Sequence, residues 1–206
     1  ELKRLLRERR LVTLVAPGGM GKTHLAMQAA LEVAHLYRDG AYFVALAGLD
    51  RAEELPGRLV QEFGLKASGD PQESLVQHFA GRQVLWVLDN FEQLLEAGEF
   101  LRTLLQALPG LTLLVTSRER LGLSEEWALP LEGLALEEEG GDPAALRLLQ
   151  QAIQRVNPGL RLSKAELEAA RRICRVVEGL PLGLELAAAW AKVLSLGEIA
   201  QEIEKS

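Results

Sequence analysis

The chain alternates short, continuous β-prone runs with longer stretches of helical spacing. Leu11-Val12-Thr13-Leu14-Val15, Val84-Leu85-Trp86-Val87-Leu88 and Leu111-Thr112-Leu113-Leu114-Val115-Thr116 are continuous β-prone runs. Their lack of polar alternation predicts strands covered on both faces, as in parallel sheets. Ala41 to Leu46 predicts a further strand. Trp127 to Leu131 predicts a short last one, with Pro130 favouring a sheet edge. Helical segments lie between these runs. Leu2 to Arg9 is short; Thr23 to Tyr37 carries Leu25, Ala26, Ala29, Ala30 and Val33 at helical spacing; Glu53 to Phe63 follows. Asp70-Pro71 opens another helix, with Glu73 placed to complete a capping box. Leu94 to Leu108 is helical with a bend near Gly98. Strands alternating with helices predict an α/β fold, a parallel sheet sandwiched by helices. The order of the strands is not readable from period or composition.

The pattern changes after Leu136. Glu137-Glu138-Glu139-Gly140-Gly141 is acidic and glycine-ended, and reads as a linker. Asp142-Pro143 predicts a helix capped by Asp142. Asn157-Pro158-Gly159 breaks it. Ser163 with Glu166 is a capping box for a helix running towards Glu178, Pro181 to Leu194 is a third helix, and Ser195 with Glu198 caps a fourth. The expected organisation is therefore an α/β domain over 1–136 and a small all-α domain over 137–206.

Composition narrows the class. Of 206 residues 48% are apolar and 25% charged, which is ordinary for a globular chain. The net charge of −6 argues against sequence-independent DNA binding, which needs a basic face. Lys3 to Arg10 is a local basic patch, read here as a solvated helix end. The single cysteine, Cys174, excludes an internal disulfide, fits a cytoplasmic setting, and sits in an apolar helical pattern as a small buried hydrophobe. No apolar run approaches the roughly 20 residues of a membrane span, so no membrane partner is expected. The chain starts at Glu1 rather than Met, which reads as a piece of a longer protein.

The chemistry concentrates in Ala16-Pro17-Gly18-Gly19-Met20-Gly21-Lys22-Thr23, between the first strand and the first long helix. The glycines let the backbone wrap an anion with its amides inward, and the helix opening beyond aims its positive end there. Lys22 reaches the β- and γ-phosphates of a nucleotide, and Thr23 offers a hydroxyl to Mg²⁺. Ala16 stands at the motif's first glycine, a position that closes the strand, where the change is tolerated. His24 reads as a surface residue whose backbone amide can reach an α-phosphate. His35 and His78 have no clustered partners, so a metal site built from protein ligands alone is not expected.

Asp89 ends a buried strand, where ligands bind in open α/β sheets, and can hold Mg²⁺ there. Its neighbour Asn90 cannot accept a proton as a carboxylate does. Glu92 is the nearest carboxylate, with a solvated first-turn residue as its plainer reading. Slow hydrolysis follows. Arg118 leaves the next buried strand on the same edge and can sense a γ-phosphate; its plainer role is a salt bridge to Glu119 or Glu125.

In order, APGGMGKT, VLWVLDN, LLVTSR and GLPL resemble the motifs of STAND-class P-loop NTPases, in particular the NB-ARC-like domains of bacterial LuxR-type and AfsR-type regulators. The resemblance covers almost the whole chain and is closest over Leu85 to Leu95 and Gly179 to Ala189. It implies an ATP/ADP switch with Mg²⁺, closed on ADP and opened or assembled by ATP. It makes Arg118 the sensor arginine and Pro181 the proline that packs on adenine from the helical domain. The implied partners are an adenine nucleotide and further domains of a parent regulator. The segment before the glycine-loop helix and the winged-helix domain of the family are absent from this chain. The chain alone is expected to be a monomer without direct nucleic-acid contacts, and the parent protein an ATP-dependent oligomer. Two alternatives remain open: a P-loop phosphotransferase whose lid draws on Arg147, Arg155, Arg161, Arg171 and Arg172, and an AAA+-like DNA-associated ATPase.

Overall fold

A computed structural model describes residues 1–65, 69–159 and 161–205. The chain divides into two compact units. The first comprises Glu1–Pro17 and Lys22–Leu131, and the second comprises Gly18–Gly21 and Glu132–Ser206.

The first unit is built on a five-stranded parallel sheet: β1 (Leu11–Val15), β2 (Ala41–Ala45), β3 (Val84–Asp89), β4 (Leu111–Ser117) and β5 (Trp127–Pro130). Its order is β2-β3-β4-β1-β5, with every pairing parallel. The two strands that flank β4 in space, β3 and β1, lie far from each other in sequence. β5 is an edge strand, where Pro130 costs no ladder hydrogen bond.

The helices are α1 (Leu2–Glu8), α2 (Lys22–Val33), α3 (Leu55–Glu62), α4 (Pro71–Phe79) and α5 (Gly98–Ala107). The apolar strand runs bury both faces, as their composition requires. Leu85, Val87 and Leu114 face a core shared with Leu5 of α1 and Ala26, Ala29 and Ala30 of α2. Small alanines let α2 approach the sheet closely. Val84, Trp86, Leu88, Leu113 and Val115 face the opposite core, filled from α3, α4 and α5. Leu25, placed on the buried face by spacing, is instead exposed. The bend expected near Gly98 is a 3₁₀ turn, Leu95–Ala97, leading into α5.

Local polar details decide several helix ends. Asp70 caps α4 by accepting from the Gln72 backbone N–H, while Glu73 accepts from Gln77 rather than closing a capping box. Much of the basic run at the start is spent on protein partners. Lys3 pairs with Glu32 and Arg4 with Glu8. The Arg10 guanidinium donates to the carbonyls of Leu105 and Leu108 at the end of α5 and of Leu111 at the start of β4.

The second unit packs α6 (Ala144–Val156) on α8 (Pro181–Trp190) and α7 (Lys164–Val176) on α9 (Leu196–Glu204). Leu146, Leu149 and Ile153 meet Ile173, Leu184 and Ile199 in its core. Both predicted capping boxes form, Ser163 with Glu166 and Ser195 with Glu198. The first helix of this unit departs from expectation. Pro143, not Asp142, occupies its N-cap, and the helix begins at Ala144. The cap-then-proline pattern is displaced by one residue because the Asp142 carbonyl and carboxylate are taken by Arg147 and Gln150. Cys174 is buried, and burial pushes its thiol up to about 11. Among the described residues no helix is long and apolar enough to cross a membrane.

An extended segment at Gly133–Leu134 threads past a left-handed turn at Glu178–Gly179. Leu134 N–H donates to the Gly179 carbonyl at 2.9 Å, and a Cβ on Gly179, at φ +66°, would meet the Leu134 oxygen at 2.2 Å. Gly179→Ala is therefore expected to destabilise the helical unit by about 2–4 kcal/mol, from left-handed strain plus backbone overlap. A urea titration followed by far-ultraviolet circular dichroism measures this, and an unchanged midpoint refutes the tight approach.

Candidate functional site

The loop after β1 is shaped by positive φ at Gly19 and Gly21, both at 79°. Residues with a side chain pay for that conformation, so the spacing of the glycines dictates the wrap. Within the second unit, the Leu182 N–H donates to the Gly19 carbonyl at 3.1 Å. Ala16 is buried and continues the ladder, its N–H donating to Ser117 O at 3.3 Å. A methyl group at this position is accommodated because the residue belongs to the strand rather than to the turn.

Lys22 begins α2 and is only 8% exposed. Its ammonium donates to the carbonyls of Ala16 (2.7 Å) and Pro17 (3.0 Å). Burial pushes its pKa below the ordinary lysine value; Glu92 opposes that shift, Arg118 adds to it, and Asp89 opposes it. A desolvated cation held by two neutral carbonyls is under-compensated and suits an anion in the loop.

Asp89 ends β3 and is 8% exposed. Its Oδ1 accepts from Thr23 Oγ1 at 2.8 Å and from Thr116 Oγ1 at 2.6 Å. Thr116 in turn accepts from the Asn90 N–H at 3.0 Å. Two hydroxyls thus aim one carboxylate towards the first turn of α2. A hydroxyl and a carboxylate at this separation form the hard oxygen donor set that Mg²⁺ takes alongside phosphate and water. Thr116 belonged to a motif noted in the sequence but not to its candidate site. The available signal was a polar residue closing an otherwise apolar run.

Asn90 adopts a left-handed conformation, φ 66° and ψ 51°, which asparagine tolerates better than most residues. The turn sends Phe91 into the core and returns Glu92 to the sheet edge. Glu92 is not the solvated helix residue of the plainer reading: its side chain is 14% exposed. It lies in a 3₁₀ turn, Phe91–Gln93, and pairs with Arg118 Nε at 3.1 Å. Arg118's carboxylate partner is therefore Glu92, rather than Glu119 or Glu125, because the turn after Asn90 carries Glu92 to the end of β4.

The remaining candidates divide by position. Pro17 contributes the second carbonyl to Lys22, and Gly18 and Met20 lie in the loop. The His24 side chain is exposed. Pro181 opens α8 in the second unit, at the helix position where a missing N–H costs nothing. Of the arginines considered for a phosphotransferase lid, Arg147 pairs with Glu138, Arg155 with Glu185, Arg171 with Glu168 and Arg172 with Glu204. They serve carboxylates on helix surfaces.

A glycine loop between β1 and α2, with an aspartate ending the parallel strand on the far side of β4, defines an α/β fold of the P-loop ATPase kind. The ORC2 protein of Aeropyrum pernix, solved in complexes with ADPNP and ADP, superposes with a TM-score of 0.59 at 17% identity, covering 100% of this chain and 64% of that one. A STAND protein with a tetratricopeptide repeat sensor from Pyrococcus horikoshii gives 0.58 at 17% identity, over 99% of this chain and 31% of that one. In sequence, a Mycobacterium tuberculosis protein named as an HTH-type transcriptional regulator is 35% identical over 206 residues, 98% of this chain. The chain spans 23% of that relative's length. No protein-family model matches the chain.

Proposed function

We infer that this chain is the ATP/ADP-binding module of a larger transcription-regulating protein, a switch with slow hydrolysis. One observation carries the reading: Thr23 and Asp89 meet at 2.8 Å beside a buried Lys22 at a glycine loop. In this reading Gly18, Gly19, Met20, Gly21 and the His24 amide cradle phosphates, and Lys22 exchanges the Ala16 and Pro17 carbonyls for phosphate oxygens. Thr23 and Asp89 hold Mg²⁺, with Thr116 orienting Asp89. When bound, the metal neutralises phosphate charge. Arg118 reads the terminal phosphate, and Pro181 is the proposed contact for adenine.

Slow turnover is supported by Asn90, whose amide cannot act as a base. The similarity to a transcriptional regulator and to a STAND protein supports the switch over metabolite phosphorylation, as does the pairing of Arg147, Arg155, Arg171 and Arg172 with carboxylates. A melting series with ATP, ADP and GTP, each with and without Mg²⁺, tests the assignment. Stabilisation by the adenine nucleotides is expected, since a ligand bound to the native state alone raises its stability. Equal stabilisation by GTP removes the Pro181 contact, and turnover near the roughly 1–100 s⁻¹ of kinases removes the switch.

A further inference from the structure

The ion pair beside Lys22 is unequal in its two halves. The Glu92 side chain is 14% exposed and the Arg118 side chain 64%. Glu92 Oε1 takes the Arg118 Nε, whereas Oε2 is shielded from solvent and has no hydrogen-bond partner among the described residues. A half-buried carboxylate with one oxygen unsatisfied leans on the cation paired with the other. Its position is set by the core: Asn90 turns left-handed, and Phe91 is anchored without exposure. Arg118, in contrast, follows the end of β4 and reaches the pair from the solvent side. Both charges bear on Lys22, in opposite senses. Glu92 is therefore the fixed member of the pair and Arg118 the transferable one.

We propose that Glu92 is an internal competitor of the γ-phosphate for Arg118, so that the Glu92–Arg118 pair sets the preference between ATP and ADP. This rests on the nucleotide reading above. A diphosphate lacks the terminal group and leaves Arg118 on Glu92. A triphosphate takes Arg118 only by breaking the pair and leaving a half-buried carboxylate without its paired cation. Glu92 thus weakens ATP selectively and biases the chain towards the ADP-bound state. Glu92 is a specificity-determining residue that acts through Arg118.

Titration calorimetry with Mg²⁺, using ADP and a non-hydrolysable ATP analogue, tests this in wild type, Glu92→Gln, Arg118→Ala and the double variant. Glu92→Gln keeps the shape and removes the charge. It is expected to move the affinity ratio about three- to fivefold towards the ATP analogue, the upper scale of one partly exposed ion pair. Arg118→Ala is expected to weaken the analogue more than ADP. In the Arg118→Ala background, Glu92→Gln is expected to change the ratio by less than about twofold, since the competed cation is gone. Equal strengthening of both nucleotides by Glu92→Gln overturns the proposal, as does the same ratio change without Arg118. Either result makes Glu92 a general field effect while nucleotide binding stands. Failure of wild type to bind either nucleotide overturns the nucleotide reading itself.

Discussion

Lys22→Ala removes the rise in melting temperature that ATP and ADP are expected to produce, while the nucleotide-free variant stays within about 1 kcal/mol of wild type. The two halves of this result have separate causes. In wild type, nucleotide at one hundred times its dissociation constant contributes about 2.7 kcal/mol, or roughly 5–10 °C for a chain of this size. Lys22 is a buried cation, and truncating one partner of a buried charge pair costs about 2–5 kcal/mol, weakening binding by about 30-fold or more. At the same nucleotide concentration the shift then falls below about 1 kcal/mol. Without nucleotide the balance is different. Removing the side chain strips the Ala16 and Pro17 carbonyls of a donor. It also removes a charge whose pKa burial already holds down, so loss and relief nearly cancel. A Lys22→Ala protein that keeps the full nucleotide shift would falsify the loop's phosphate role.

The largest effect expected on stability lies at Trp86, at the centre of β3. The indole is fully buried and packs against Phe63 and Phe79, with ring centroids at 4.7 and 4.9 Å. Trp86→Ala is expected to cost about 3–5 kcal/mol, through lost transfer energy and the cavity left in a strand buried on both faces. This corresponds to a fall of roughly 6–20 °C in melting temperature. Trp86→Phe is expected to cost less than about 1.5 kcal/mol. The indole Nε1 is buried without a hydrogen-bond partner, so a phenyl ring loses volume but also removes an unsatisfied N–H. Differential scanning calorimetry of both variants separates the terms. Equal losses from the two substitutions would show that an indole-specific contact, not packing volume, holds this site.

The elements built from short-range rules were legible. The glycine loop follows from residues inside one eight-residue stretch, because positive φ at Gly19 and Gly21 is a backbone property of those positions. The capping boxes at Ser163 and Ser195 span three residues each, and both formed. The strands ending at Asp89 and Ser117 were visible as unbroken apolar runs, since only a strand covered twice lacks polar alternation. Boundaries failed where a side chain had a longer-range alternative, as at Asp142, which is drawn to Arg147 and Gln150.

The site itself divides along the same line. By itself the sequence determined which groups are proposed for phosphate and metal: the loop glycines, Lys22, Thr23, and a carboxylate at the end of a buried strand. Only the tertiary structure decided how they meet. The order β2-β3-β4-β1-β5 places β4 between the strands that carry Asp89 and the loop. Thr116 thereby reaches a carboxylate 27 positions away, and Arg118 finds Glu92 instead of its sequence neighbours. Strand order is set by which apolar faces are covered together, a sum over many distant contacts that no local period encodes. For the same reason Glu92 reads as a surface residue in its own segment, and becomes a half-buried partner of Arg118 once the Asn90 turn and the Phe91 anchor are in place.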